Sequence, residues 1–137
     1  FIFFAAPAKE NKDLMRANYY YSHYAYHDAI PYYEKVAEQL KDPVVYTQMA
    51  DCYSVVGDVK KAAEAYAKAV AIPGCADVVK LKYAQLLMQM TEYDEATKWL
   101  QEYQKTNKND RRTANMIAGC ASAAAAPWSP PAAARCP

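Results

Sequence analysis

Small residues recur along this chain at a fixed interval. Ala17, Ala50, Ala84 and Ala118 are separated by 33, 34 and 34 residues, and Ala29, Ala62 and Ala96 repeat those spacings twelve residues downstream. Large residues keep step with both series: Tyr20, Tyr53 and Leu87 lie three after the first alanine, and Tyr33, Tyr66 and Leu100 lie four after the second. A period of about 34 residues is what two antiparallel helices and their turns require. The spacing therefore predicts an all-α chain of stacked helical hairpins.

The alanines have a physical role in such a stack. Where two helices cross closely, a small side chain lets the partner backbone approach and a large one a turn away fills the adjoining groove. Ala50 and Ala62 are expected to form the close approach of the middle hairpin, with Tyr46, Met49, Tyr53, Tyr66, Ala69 and Val70 around them. Gly57-Asp58 falls between the two helices, where glycine suits a left-handed residue ending the first and aspartate caps the second. Pro73-Gly74 closes the unit.

These positions resemble the tetratricopeptide repeat. Counted from Pro43, the family's large, apolar and small positions are occupied by Tyr46, Met49, Ala50, Tyr53, Ala62, Tyr66 and Ala69. The resemblance implies a right-handed superhelical solenoid of about three hairpins, residues 10–42, 43–76 and 77–110, followed by a capping helix over 111–126 with Ile117 and Ala118 in register. The first unit departs from the pattern at Asp13 and Arg16, and the third at Lys80 and Tyr103, which predicts distorted ends in the third.

Charge and composition narrow the function. With 16 basic and 15 acidic residues the chain has no excess of positive charge to track phosphates, which argues against a nucleic-acid partner. No segment reaches the roughly twenty apolar residues of a membrane span. Thirteen tyrosines are present, and Tyr19, Tyr20, Tyr21, Tyr24, Tyr26, Tyr32 and Tyr33 crowd the first hairpin. They cannot all point inward, so some are expected at the surface, where tyrosine favours binding contacts. No phosphate loop or nucleophile motif is present, and no enzyme activity or cofactor is expected. His23 and His27 are four apart, but the repeat places a turn between them, so no metal site is expected. Cys52, Cys75, Cys120 and Cys136 contain no CxxC; Cys52 and Cys120 are expected as buried thiols.

The ends differ from the middle. Residues 1–9 form an apolar arm, either a docking segment or the remnant of an export signal, since Ala6-Pro7-Ala8 has the small-x-small form of a cleavage site. Residues 127–137 have the Pro/Ala composition of an extended linker toward a further domain.

Binding remains as the function. In tetratricopeptide proteins the first helix of each hairpin lines the concave face. By that resemblance the face carries Leu14, Asn18, Tyr21 and Ser22; Val44, Thr47, Asp51, Ser54 and Val55; and Val78, Leu81, Gln85, Met88 and Gln89. Asn18, Tyr21, Thr47, Asp51, Ser54, Leu81, Gln85 and Met88 are the candidate contacts for a protein partner, a peptide or helix in the groove. The family's carboxylate clamp for chaperone tails needs Lys, Asn, Asn, Lys and Arg where this chain has Leu14, Asn18, Gln48, Val78 and Lys82, which disfavours that use. Residues 29–36, 46–56 and 94–100 also resemble the repeat region of OmpA-family envelope proteins of Bacteroidota. That resemblance implies a scaffold in an outer-membrane-associated, periplasmic assembly such as type IX secretion, with other envelope subunits as partners. The alternatives are a cytosolic adaptor and a non-catalytic fragment of a larger enzyme or secretion complex.

Overall fold

The structure is a computed structural model that describes residues 11–125. The apolar arm, Ala6-Pro7-Ala8, the Pro/Ala tail and Cys136 lie outside the described residues. Within them the chain is all-helical: α1 (Lys12–Ser22), α2 (Tyr26–Leu40), α3 (Pro43–Val56), α4 (Val59–Ala71), α5 (Asp77–Gln89), α6 (Tyr93–Thr106) and α7 (Arg111–Ala125). It divides into two compact units, one ending at Val79 and the other beginning at Lys80, within α5.

In the first unit, polar caps and left-handed residues set the helix ends. Asn11 Oδ1 accepts from the backbone N–H groups of Asp13 and Leu14 at 3.1 and 3.3 Å, satisfying donors that α1 leaves open. Asp42 does the same for Val44 N at 2.9 Å, with Pro43 at the first turn of α3, where its missing N–H is no loss. Gly57 ends α3 at φ 98°, and Asp58 Oδ1 accepts from Lys61 N at 3.3 Å, the turn expected between these helices. The end of α2 is less conventional: Lys41 takes the left-handed cap position at φ 47° although it carries a side chain.

The alanine series is the core of this unit. Ala17, Ala29, Ala50 and Ala62 are each 0% exposed, so the close approaches of both hairpins are dry. Tyr33, Tyr46, Met49, Tyr53, Tyr66 and Ala69 are buried around them, while Tyr20 and Val70 are half-buried. The tyrosines of the first hairpin separate as their number requires. Tyr33 is fully buried, Tyr20, Tyr21, Tyr26 and Tyr32 are half-buried, and Tyr19 and Tyr24 are exposed. Tyr20 stacks on Tyr32 with ring centroids 5.6 Å apart, an offset arrangement that adds to simple burial.

In the second unit Ala84 and Ala96 repeat the close approach, Leu87 and Leu100 fill beside them, and Tyr83 meets Trp99 at 5.5 Å. Two expectations are corrected here. The third repeat is not distorted at Tyr103: α6 runs unbroken to Thr106 with Tyr103 half-buried. On α7 the alanine register lapses: Ala118 is exposed and Ile117 half-buried, and the buried residues are Thr113 and Cys120. Ala17, Ala50 and Ala84 are dry because the second helix of the same hairpin crosses each of them, and no described helix follows α7.

Candidate functional site

Residues of the first-helix face line a cleft in each unit. In the first, Pro43, Val44, Thr47 and Gln48 from α3 meet Val78 and Val79 from the start of α5 around a space of about 230 Å³. Its walls are apolar, and Val44 and Val78 remain 59% and 51% exposed. The turn containing Gly74, at φ 89°, brings Val78 to this position.

The polar residues expected on the same face are committed to the fold. The hydroxyls of Tyr21 and Tyr66 both donate to the Asp51 carboxylate, Tyr21 at 3.2 Å, so one side chain on α3 ties α1 to α4. Tyr33 points its hydroxyl at Asn18 Oδ1, 2.8 Å away, and Gln48 Oε1, 3.3 Å away. Burial first, and then the Asp51 charge, push the Tyr21 phenol up to about 12. Burial likewise raises Tyr33, Tyr53 and Tyr66, with Glu34 adding to the rise at Tyr53 and Asp51 at Tyr66. The Cys52 thiol, fully buried, is pushed up to about 12 by the same desolvation. Thr47 Oγ1 donates to Pro43 O at 2.7 Å, and Ser22 Oγ to Tyr19 O at 2.8 Å. Leu14 is half-buried, whereas Ser54 and Val55 are exposed.

In the second unit Leu81 and Gln85 of α5 face Arg112, Asn115 and Met116 of α7 across a cleft of about 310 Å³, with Asp110 at its rim. Met88, half-buried, and Gln89, exposed, do not line it. Arg112 and Asn115 were not among the residues expected on the face. They were legible all the same: each lies 34 residues after Val78 and Leu81, so the register that selected those two selects these on the capping helix.

Among the described residues no three His, Cys, Asp or Glu side chains are grouped to hold a metal, and no helix is long and apolar enough to cross a membrane. His23 caps α1 and His27 lies in the first turn of α2, with the expected turn between them.

Comparison with known proteins follows the same repeat. Residues 56–120 match the family model described as a tetratricopeptide repeat. Over that stretch the chain is similar to tetratricopeptide repeats. Its fold is that of tetratricopeptide solenoids with solved structures. The mitochondrial import receptor subunit TOM70 of Saccharomyces cerevisiae is 32% identical over 80 residues, which are 58% of this chain and 12% of that receptor. The crystal structure of yeast Tom70 superposes with a TM-score of 0.74 at 28% identity, over 86% of this chain and 25% of that one. The first repeat domain of Spaghetti (RPAP3), solved with the HSP90 peptide SRMEEVD, gives a TM-score of 0.71 at 21% identity over 84% of this chain and 94% of that one. The Yersinia enterocolitica type III secretion chaperone SycD, solved with a peptide of the translocator YopD, gives 0.69 at 18% over 81% and 91%. At those last two identities the likeness is one of fold.

Proposed function

We propose that the chain is a non-catalytic protein-interaction module that holds a peptide segment against the first-helix face of its repeats. The observation that carries this reading is the pair of clefts. Val44, Thr47 and Val78 line one and Leu81 and Gln85 the other, all at first-helix face positions of the repeat register. Two structures of the same fold hold peptides, which supports the reading. An apolar cleft flanked by amide side chains suits such a ligand, since the apolar wall takes an anchor and the amides pair with its backbone. The candidate contacts are then Val44, Thr47, Val78, Leu81, Gln85 and Met88, with Ser54 at the exposed end of α3. Asn18, Tyr21 and Asp51 contribute shape and the groups they hold in place.

A photocrosslinking amino acid at Val44 or Gln85, compared with one at the exposed Glu64 on α4, tests this in cells. Adducts with a protein partner from the first two positions and not the third are expected. Adducts from Glu64 alone would move the function to the opposite helices.

A finer reading places the module in an outer-membrane-associated periplasmic assembly of the type IX kind. It is supported by the resemblance of residues 29–36, 46–56 and 94–100 to the Bacteroidota envelope proteins, with a cytosolic adaptor as its rival. Fractionation of the full-length gene product decides between them: recovery only from the cytosol removes the envelope placement and leaves the binding module intact.

A further inference from the structure

The two clefts differ in what their polar groups are doing. In the first unit the Asn18 carbonyl, the Tyr21 hydroxyl, the Gln48 carbonyl and the Asp51 carboxylate all make hydrogen bonds to their own fold. In the second, the side chains of Gln85 and Asn115 form no hydrogen bond with any described residue. Arg112 is 87% exposed, and its one ionic contact is a long one, 3.8 Å from Nε to Asp110 Oδ1. Asp110 is itself engaged at the start of α7: Oδ1 accepts from Arg112 N at 3.0 Å and Oδ2 from Thr113 Oγ1 at 3.1 Å. The Arg112 guanidinium, on a residue that lines the cleft, therefore makes no hydrogen bond to any described residue. Leu81 and Met116, both half-buried, supply an apolar floor.

We infer that this cleft recognises an internal acidic residue of a partner peptide next to an aliphatic one. The inference rests on the peptide-binding reading above and names the ligand's chemistry. The carboxylate side chain takes the open side of the Arg112 guanidinium, whose planar fork suits two oxygens. The neighbouring aliphatic side chain rests on Leu81 and Met116, and the amides of Gln85 and Asn115 pair with the peptide backbone. Charge complementarity favours one acidic group over a cluster, because the Asp110 carboxylate at the rim repels a second.

The test uses the full chain and an array of peptides blocked at both ends. Members carry Leu-Asp or Leu-Glu pairs, their isosteric Leu-Asn and Leu-Gln counterparts, or neutral and basic sequences. Wild type is expected to prefer acid over amide by roughly fivefold at low salt, the upper range for an exposed ion pair, and less as salt rises. Arg112→Glu, whose helicity circular dichroism checks, is expected to abolish or invert that preference. Leu81→Ser is expected to weaken acidic and amide peptides alike. An acid preference unchanged in Arg112→Glu overturns the inference. Binding of neutral or basic peptides without acid selection also overturns it while the interaction module stands, whereas no binding to any member overturns both.

Discussion

The Tyr66 hydroxyl on α4 donates to the Asp51 carboxylate on α3, which also receives the Tyr21 hydroxyl from α1 at 3.2 Å. A side chain expected to greet a partner is thereby the joint of three helices. Replacing Asp51 with Ala strands two phenolic hydroxyls in partly buried surroundings. Urea denaturation is expected to show a loss of about 1–3 kcal/mol, with Asp51→Asn, which keeps one acceptor, losing less. Equal stability in all three proteins would refute the joint.

The alanine positions make a paired prediction. Ala62 is 0% exposed at the crossing of α3 and α4, so Ala62→Trp is expected to overpack the hairpin and lower stability by about 1–3 kcal/mol or more. Ala118 belongs to the same arithmetic series but is exposed, and Ala118→Leu is expected to stay within about 0.5 kcal/mol. Thermal melts that rank the two the other way would break the register.

Left-handed helix ends give a third. Nothing lies within 4 Å of a Cβ built on Gly57, so Gly57→Ala carries only the backbone strain of φ 98°, about 1 kcal/mol. Lys41 already carries that strain at φ 47°, so Lys41→Gly is expected to stabilise by a similar fraction of a turn's energy, about 0.5–1 kcal/mol. Denaturant midpoints that move in the same direction for both contradict this assignment.

Alkali is expected to unfold the protein before its buried tyrosines ionise. The Cys52 thiol rises from its ordinary 9.0, and the Tyr21 phenol from 10.0, each to about 12, because burial disfavours the charged forms. Tyr33, Tyr53, Tyr66 and Tyr83 shift the same way. Above pH 9 to 10 the unfolded chain releases protons that the folded chain holds, so stability is full below that range and falls as pH climbs toward about 12. The phenolate absorbance of these buried tyrosines is expected to appear together with loss of helical circular dichroism. Complete phenolate absorbance, reached with helicity intact, would count against these burials.

Thiol chemistry offers an independent check on the same core. Cys52, fully buried with its thiol raised, is expected to resist iodoacetamide at neutral pH until the protein is denatured. Rapid labelling of Cys52 in the folded protein, read by peptide mass spectrometry, would place it elsewhere.

Most of the hairpin architecture was legible because close helix crossings leave a covalent trace. Ala17, Ala29, Ala50, Ala62, Ala84 and Ala96 are all fully buried, so the geometry is written in residue size at a fixed interval. The turn at Gly57-Asp58 was readable for the same reason, since its left-handed backbone selects glycine. The candidate site was harder. Asn18 and Asp51 look alike in sequence to Gln85 and Asn115, all polar residues at face positions. Only folding decides whether a tyrosine from the next helix reaches them first. Lys41 gave no signal because its strained backbone is imposed by the short link to α3, and the exposure of Ala118 depends on what crosses it rather than on its own side chain.

Tyr33 has one proton to offer and two oxygens waiting for it, Asn18 at 2.8 Å and Gln48 at 3.3 Å. While the shorter bond is made, the Gln48 carbonyl stands as an acceptor beside the apolar cleft it helps to line. On the proposed peptide-binding reading, an incoming backbone N–H settled against Val44 and Val78 brings its own hydrogen to an oxygen with a lone pair to spare. Such a ligand would add a hydrogen bond at Gln48 without breaking the one between Tyr33 and Asn18.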